Sequence, residues 1–308
     1  MLSFGEMMEM RYVYVVITLI GFIMIILSNG VVIYVIMMHK SLQEPMYIFI
    51  SALCVNGLYG SISFFPSLLV NLLDKTQAIS YVNCLVQVFC IHTYTGCEMA
   101  LLAVMAFDRY LCICNPLRYN NIMTMSTTYA LIIGAWFLNI FPFTIHLILT
   151  IRLPLCGTII PKIYCDNFSV VNLSCIDTTV NNIYGLFITI AMIVGMPILI
   201  LASYIRILRV CANSSKDFRA KALKTCTPHL ITMINYVADI LFEVLLHRFR
   251  PQHLPYDLKI IMSVQAFVVP PLLNPLIYGL KMREIRVKIF QLFLLSRISS
   301  GKTSMQEH

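Results

Sequence analysis

Three charged side chains lie near the end of an otherwise apolar stretch, and their types suit the recognition of a ligand. Asp239 and Glu243 are four residues apart, so they share one face of a helix, and Arg248 follows them. Arg248 can hold a ligand carboxylate through two parallel hydrogen bonds, whereas Asp239 or Glu243 can hold an amine. A third arrangement pairs Glu243 with Arg248 internally and leaves the ligand neutral. All three remain open, and we rank the internal pair slightly ahead.

Two more ionisable residues, His92 and Glu98, share a second apolar stretch. His92 is either a contact for a ligand or a packed core residue, and the two interpretations weigh equally. Glu98 is either a proton-linked switch or a hydrogen-bonded member of a polar network with Asn56, and we favour the network. Binding pockets are mostly apolar with a few polar groups. Weaker candidates for lining such a pocket are Thr95, Asn182 and Gln265.

No residue pattern predicts catalysis, a metal site or a cofactor. Cys112 and Cys114 have no matching Cys or His nearby, which argues against a zinc site. The chain has neither His-Glu-x-x-His nor Gly-x-Ser-x-Gly, and Asp239 and Glu243 share one helix instead of facing each other from two. The sequence therefore predicts a protein that is not an enzyme.

The elements that position these residues are apolar along nearly their whole length. Of 308 residues, 59% are hydrophobic and 12% charged, with a mean hydropathy of +0.83. This composition excludes a soluble enzyme, a disordered chain and a nucleic-acid binder. A helix needs about 20 apolar residues to cross a membrane. The sequence predicts one all-α domain, residues 1–308, folded as a seven-transmembrane helix bundle with spans at about 12–38, 46–73, 81–113, 127–151, 180–206, 225–246 and 258–279.

The distribution of basic residues predicts the orientation in the membrane. With residues 1–11 outside the cell, 15 of the 22 Lys and Arg residues fall on the cytoplasmic side, in agreement with the positive-inside rule. The tail, residues 281–308, is then cytoplasmic. Its basic and apolar residues alternate at helical spacing, which predicts a short amphipathic helix on the inner surface of the lipid bilayer, with a solvated tail as the alternative. We expect a multi-pass protein of the plasma membrane.

Four cysteines fall on the predicted outer side and are expected to form two disulfides, with three connectivities open. Cys84 opens the third span, and Cys156, Cys165 and Cys175 lie in the longest outer loop. The other seven are expected to be small buried hydrophobic residues. Two sequons on the same loop, at Asn167 and Asn172, are candidate glycosylation sites, whereas the sequon at Asn213 falls on the cytoplasmic side and is expected to be unmodified.

Four motifs in order resemble those of one known family. They are Met105-Ala-Phe-Asp-Arg-Tyr-Leu-Cys-Ile-Cys-Asn-Pro-Leu-Arg-Tyr119, Glu44-Pro-Met-Tyr47, Lys221-Ala-Leu-Lys-Thr-Cys-Thr-Pro-His229 and Pro271-Leu-Leu-Asn-Pro-Leu-Ile-Tyr278. Together they resemble the vertebrate olfactory receptors, a branch of the rhodopsin-like G-protein-coupled receptors. His247-Arg-Phe249, Pro270-Pro271 and Asn56-Gly-Leu-Tyr-Gly60 are similar to the fish-like class I subgroup and its teleost members.

The resemblance implies a function and roles for particular residues. It implies a small-molecule odorant bound between spans three, five and six, and a stimulatory G protein that raises cyclic AMP. It implies that Cys84 pairs with Cys165 and Cys156 with Cys175. Asp108, Arg109 and Tyr110 would hold the inactive state and receive the G protein, and Asn274, Pro275 and Tyr278 would rearrange on activation. A plain membrane-edge charge is the alternative for Arg109.

The sequence also departs from the family pattern. Gly57 stands where the acid of span two is usual, which leaves sodium binding open. Span six has no Trp or Pro at mid-membrane, since the single tryptophan is Trp136 in span four, so a tryptophan-toggle mechanism does not carry over. A transporter or channel is the competing class, but the odd number of spans, the absence of an internal repeat and the absence of a filter motif argue against it.

Overall fold

The structure is a computed structural model that describes residues 11–74, 78–160, 162–249 and 256–292, with side chains at all of these except 11, 193, 239–249, 256–264 and 266. Its α-helices are α1 (Arg11–Met38), α2 (Pro45–Leu73), α3 (Tyr81–Cys114), α4 (Pro116–Ile122), α5 (Met125–Ile151), α6 (Asn167–Val171), α7 (Thr179–Ile190), α8 (Met196–Ala212), α9 (Lys216–Phe249), α10 (Tyr256–Lys281) and α11 (residues 283–292). A 3₁₀ turn, Lys40–Leu42, joins α1 to α2, and a π turn, Ala191–Gly195, joins α7 to α8.

The long helices form one bundle with α3 at its centre. α3 contacts α2, α5, α8 and α9, and 20 of its 34 residues are buried. Its start is fixed by the Ser80 side chain, which accepts a hydrogen bond from the backbone N–H of Asn83. Within the described ranges the chain has no β-strand, only an isolated bridge between Leu155 and Ser174. The predicted all-α bundle is confirmed.

Three of the described helices, α1, α2 and α5, are long and apolar enough by length and composition alone to cross a membrane. α3 is more polar, but its polar side chains point into the bundle, where Gln87, Thr93 and Glu98 are buried. A helix that is surrounded by other helices does not need to present an apolar surface to lipid. The length of an apolar stretch therefore identifies only some of the helices of the bundle. The central helix, α3, is identified by its contacts with the surrounding helices.

Two glycines allow neighbouring helices to approach α3 closely. A Cβ at Gly60 of α2 would overlap the ring of Tyr94, and a Cβ at Gly96 of α3 would overlap the side-chain amide of Asn139 on α5. Both partners are buried. These contacts set the rotation of α3 relative to α2 and α5, and with it the direction in which His92 points.

The chain continues after α10 in a short amphipathic helix, as predicted. Ile285 in α11 is fully buried, and Ile289 packs against the same core cluster. Arg283 and Arg286 are exposed, and Nη1 of Arg286 donates to the carbonyl of Leu280 at 3.0 Å, near the end of α10. The position of α11 on a membrane surface stays a prediction.

Candidate functional sites at the two ends of the bundle

α3 joins two polar regions about 38 Å apart along the bundle, the distance from Cys84 to Arg109 at a rise of about 1.5 Å per residue. We call the end that carries Cys84 the disulfide end, and the end that carries Arg109 the Arg109 end. At the disulfide end Cys84 is bridged to Cys165 and Cys156 to Cys175, which is the connectivity that the family resemblance implies. The backbone N–H of Cys165 donates to Oε1 of Gln87 at 2.9 Å, so the loop is fixed to α3 beside the bridge.

A small cavity lies between α3 and α5 at the disulfide end. It encloses about 170 Å³ including its open mouth and is lined by Val88, Phe89, His92, Phe143, His146, Leu147 and Asn167. Nδ1 of His92 lies 2.7 Å from the carbonyl oxygen of Val88, and the centre of its ring lies 5.5 Å from that of Phe143 and 6.3 Å from that of His146. His92 therefore packs against aromatic rings and also borders a cavity. This cavity faces the fourth long helix, whereas the predicted pocket lies towards the fifth and sixth.

A buried polar cluster continues from the cavity into the outer loop. Oδ1 of Asn167 accepts from the hydroxyl of Thr150 at 2.7 Å, and its Nδ2 lies 2.8 Å from Nε2 of His146. Nδ2 of Asn181 donates to Oγ1 of Thr150 at 3.4 Å. The cluster thereby joins α5, α6 and α7.

The two candidate glycosylation sites differ in accessibility. Asn167 is 5% exposed, and its Nδ2, the atom that would carry a glycan, is engaged with His146. The predicted glycan at Asn167 does not fit this structure, because the loop folds its side chain into the polar cluster. Asn172 is exposed at the end of α6 and presents its side chain to the surroundings.

The weaker candidates for the pocket lie in different environments. The hydroxyl of Tyr236 on α9 donates to the carbonyl oxygen of Thr95 at 2.5 Å, which places Thr95 at the contact of α3 with α9. Asn182 is exposed and donates to Oγ1 of Thr178, whereas its neighbour Asn181 is the buried one. Gln265 is half-buried on α10. The structure does not bring these three residues together.

The three charged candidates for ligand recognition lie on α9. Asp239, Glu243 and Arg248 belong to the backbone of α9, but their side chains lie outside the described residues. The carboxylate, the amine and the internal-pair arrangements therefore stay open.

Glu98 lies midway along α3 and joins three helices through a buried network. Its Oε2 accepts from Nδ2 of Asn56 on α2, and its Oε1 accepts from Nδ2 of Asn274 on α10, both at 2.7 Å. The residue is 1% exposed. Asn29 on α1 adds a fourth helix, because its Nδ2 donates to the carbonyl of Pro271 at 2.7 Å. This geometry favours the structural network that the sequence analysis preferred.

At the Arg109 end, two residues hold the side chain of Asp108. Nε of Arg109 donates to Oδ2 of Asp108 at 2.9 Å, and Nη2 forms an ion pair with the same oxygen. The hydroxyl of Tyr119 on α4 donates to Oδ1 at 2.8 Å. Burial, and next the charge of Asp108, raise the pKa of Tyr119, so this hydroxyl keeps its proton. Asp108 is 1% exposed, and Arg109 is thus held against α3 by a buried partner.

The next residue, Tyr110, contacts the fifth long helix instead. Nη1 of Arg206 on α8 donates to the Tyr110 hydroxyl at 3.3 Å, and the guanidinium lies 5.8 Å from the centre of the ring. The side chain of Asn115 donates to the same hydroxyl at 3.4 Å. Asp108, Arg109 and Tyr110 therefore secure three elements at this end: α3, α4 and α8.

A histidine that the sequence analysis did not single out lies deeper at the Arg109 end. Nε2 of His229 on α9 lies 3.0 Å from the carbonyl of Leu102 on α3, and its Nδ1 is hydrogen-bonded to the hydroxyl of Tyr204 on α8. Because a carbonyl only accepts, Nε2 carries the proton and Tyr204 donates to Nδ1. His229 is the last residue of the motif at 221–229, and membership of that motif is the sequence signal that could have identified it.

The remaining motif residues lie on α10. Asn274 is 2% exposed and belongs to the Glu98 network, Pro275 is inside the helix, and Tyr278 is fully buried in the core cluster around α3. The structure places them between Glu98 and the Arg109 end. Their rearrangement on activation stays a prediction.

Known proteins similar to this chain agree with these motifs. The family model for the olfactory receptors matches residues 17–296. Human olfactory receptor 51I2 is 36% identical over 272 residues, covering 86% of each chain, and human olfactory receptor 52N4 is 38% identical over 272 residues, covering 86% of this chain and 83% of that one.

The fold has a solved counterpart. The crystal structure of squid rhodopsin superposes with a TM-score of 0.75 at 18% identity, covering 94% of this chain and 86% of that one, which shows a shared fold alone. The family model, however, spans most of the chain. The chain therefore belongs to the olfactory receptor family, whose members are non-enzymatic, multi-pass plasma-membrane receptors that sense small molecules and signal through G proteins.

Proposed function

We propose that the chain is an odorant receptor that admits its ligand at the disulfide end and activates a stimulatory G protein at the Arg109 end, raising cyclic AMP. The observation that carries this proposal is the arrangement along α3. One helix borders a cavity through His92 and holds Arg109 against Asp108 at its other end. An agonist can shift such a bundle only through a difference in affinity between its two states.

The proposed placement in the membrane follows the sequence analysis. The seven spans are those given there, with residues 1–11 outside the cell and the tail at 281–308 in the cytoplasm. The two disulfides support this orientation, because such bonds persist in an oxidising compartment. Because Asn172 is exposed and Asn167 is buried, we propose Asn172, and not Asn167, as the glycosylated residue of the outer loop.

The proposed ligand pocket lies between α3, the α7–α8 pair and α9. The hydrogen bond between Tyr236 and Thr95 supports this placement, because it brings α9 against α3. The contact lies about two helical turns from Val88, which lines the cavity. His92 lies one turn closer to the disulfide end than Thr95, so both residues are within reach of one elongated ligand. Asp239, Glu243 and Arg248 decide whether that ligand carries a charge.

The proposed G-protein surface is centred on Arg109. The ion pair with Asp108 must open before Arg109 can bind another protein, which makes the pair a restraint on the resting state. Leu117 lies on α4, the helix whose Tyr119 bonds to Asp108, and is 96% exposed. An apolar side chain so fully exposed beside a buried switch is suited to a pocket on a partner protein.

The proposal is tested by cyclic AMP measurements in cells that express the full chain. A panel of carboxylic acids, amines and neutral aliphatic compounds is applied to cells with and without the stimulatory Gα subunit. We expect at least one compound to raise cyclic AMP only when Gα is present. An odorant-evoked ion current that persists without any G protein contradicts the proposal and favours a channel. Epitope tags on the two termini must be accessible from opposite sides.

A further inference from the structure

The cavity between α3 and α5 contains a hydrogen-bond acceptor that no described residue uses. Nδ1 of His92 lies 2.7 Å from the carbonyl of Val88. A carbonyl only accepts, so Nδ1 carries the proton and the neutral ring presents an unprotonated Nε2. Among the described residues Nε2 has no hydrogen-bond partner, and His92 lines the cavity.

A second acceptor in the adjoining polar cluster is also unused. Oδ1 of Asn181 is buried and has no partner among the described residues, although Nδ2 of the same side chain donates to Thr150. Buried polar atoms are nearly always paired. Nε2 of His146 accepts from Asn167, so its Nδ1 carries a proton that has no acceptor among the described residues. The region therefore holds unused acceptors and an unused donor, and a ligand hydroxyl, which both donates and accepts, matches both kinds.

The described charged groups near the cavity, Lys162 and Asp166, are paired with each other. Nζ of Lys162 lies 2.6 Å from Oδ2 of Asp166 and 5.1 Å from the centre of the Tyr164 ring. Oδ1 of Asp166 accepts from the backbone N–H of Ser169 at 2.6 Å. A carboxylate or an ammonium group in the cavity would gain no free counter-charge from this pair, and burying an unpaired charge is costly. The cavity therefore suits a neutral group.

The size of the cavity limits what enters it. The space inside it that a water-sized group can occupy is only about 10 Å³, roughly what one water molecule needs and far below an ordinary ligand pocket. Its walls are apolar apart from the two histidines and Asn167, since Val88, Phe89, Phe143 and Leu147 complete them. It has room for the end group of a ligand and not for a whole odorant.

We infer that this cavity is a subsite for the hydroxyl end of a neutral ligand, an alcohol or a phenol, which donates to Nε2 of His92. Aldehydes, ketones and ethers have no donor and leave Nε2 unpaired. The inference rests on the proposed function, because it names the chemical class of the ligand. It also assigns the recognition of the hydroxyl group to α3 and α5.

The test compares four matched six-carbon probes: hexan-1-ol, hexanal, hexanoate and hexylamine. They are applied to the full-length receptor and to His92→Phe, which keeps a ring against Phe143 but removes the acceptor. Responses are read as cyclic AMP potency at equal surface expression. His39→Phe is the matched control, because Nδ1 of His39 makes the same hydrogen bond, to the carbonyl of Val35 at 2.9 Å, far from the cavity.

We expect hexan-1-ol to be the most potent probe and to lose about fivefold in potency in His92→Phe, the value of one hydrogen bond, with hexanal unaffected. His39→Phe should change neither. His92→Gln, which restores an acceptor oxygen, should recover part of the preference. Equal losses for alcohol and aldehyde, or no loss, overturn the inference and leave His92 a packing residue.

A binding measurement separates this inference from the proposed function. The detergent-purified receptor is heated with and without hexan-1-ol, and stabilisation that depends on His92 supports the subsite even if no cyclic AMP is produced. Stabilisation by hexan-1-ol that persists unchanged in His92→Phe overturns the subsite even if signalling is intact. A stronger stabilisation by hexanoate or hexylamine than by hexan-1-ol also overturns it.

Discussion

At the Arg109 end of α3 the polar side chains hydrogen-bond to one another, whereas at the disulfide end two acceptors have no partner among the described residues, one on the half-buried His92 and one on the buried Asn181. Asp108 accepts hydrogen bonds from Arg109 and Tyr119, and the hydroxyl of Tyr110 accepts one from Arg206. Nε2 of His92 and Oδ1 of Asn181 remain unused within the described part of the chain. The Arg109 end is therefore held together by contacts within the chain, whereas the disulfide end keeps acceptors that a ligand could use.

The contrast follows from what each end has to do. A restraint that holds a resting state must be complete without a ligand, because its partners are all within the chain. A binding site must gain contacts when the ligand arrives, so it retains groups that the protein alone does not satisfy. Glu98, with both oxygens bonded to neighbouring helices, is a rigid connection between the two.

Removing the bridge at the start of α3 should have the largest effect. Cys84→Ser releases the outer loop from α3, and native bridges of this kind contribute about 2–5 kcal/mol to stability. We expect surface expression to be lost, as measured by flow cytometry of an epitope-tagged chain. Cys156→Ser is the comparison, since that bridge closes only a 19-residue separation against 81. Normal surface levels of Cys84→Ser would show that the disulfide end does not depend on this bond.

Arg109→Ala should abolish signalling while part of the surface expression is retained. The substitution removes the group that is proposed to bind the G protein, and truncating a charged contact at an interface costs about 2–5 kcal/mol, so the maximal cyclic AMP response should fall roughly tenfold or more. Arg206→Ala, which removes only the contact to Tyr110, should cost less. A full response from Arg109→Ala would make the Arg109 end a structural anchor and end the contrast.

Gly96→Ala should destabilise the contact between α3 and α5 that lies between the two ends. The added methyl group overlaps Asn139, and overpacking of this kind costs about 1–3 kcal/mol. Gly134→Ala on α5 is the matched control, because nothing lies within 4 Å of its Cβ position, and it should gain about 0.5–1 kcal/mol. Thermal unfolding of the purified protein measures both. Equal melting temperatures would remove the argument that Gly96 sets the direction of His92.

The smallest effect is expected from pH at the start of α7. The hydroxyl and the backbone N–H of Thr179 donate to Asp177 at 2.6 and 3.1 Å, and these bonds hold the pKa of Asp177 below its usual value. A lowered pKa adds stability above the unfolded value of about 3.9 and loses it as pH falls further. The protection factor of the amides in the first turn of α7, which compares their exchange rate with that of an unfolded peptide at the same pH, should therefore fall from pH 5 to pH 3. In Asp177→Asn this pH dependence should disappear; if it persists, another group is responsible.

Much of the Arg109 end could be predicted from the sequence because its residues are neighbours in the chain. Asp108, Arg109 and Tyr110 are consecutive, and Tyr119 belongs to the same motif. Local geometry and a family motif are enough to place them. The contact of Tyr204 with His229 was missed, because 25 residues separate them and only the packing of α8 against α9 brings them together.

The disulfide end was harder to predict because it depends on how helices rotate and how a loop folds. The depth of His92 follows from counting residues, but its direction follows from the Gly96–Asn139 contact, which spacing does not reveal. Asn167 matches a sequon, yet the loop buries it. Asn182 was chosen as a lining residue, whereas the buried residue is Asn181, one position earlier. A single position changes the face of a helix by about 100°.

The π turn at Ala191–Gly195 lets the α7–α8 pair carry one extra residue without turning its two halves relative to each other. A π turn holds one residue more than the matching α-helical turn. If the same residue were added to an uninterrupted α-helix, α7 would be rotated by about 100° relative to α8. Because the wide turn absorbs that rotation, the hydroxyl of Tyr184 reaches the carbonyl of Pro142 while Arg206 lies against Tyr110. Each half of the helix therefore keeps its contact at its own end of the bundle.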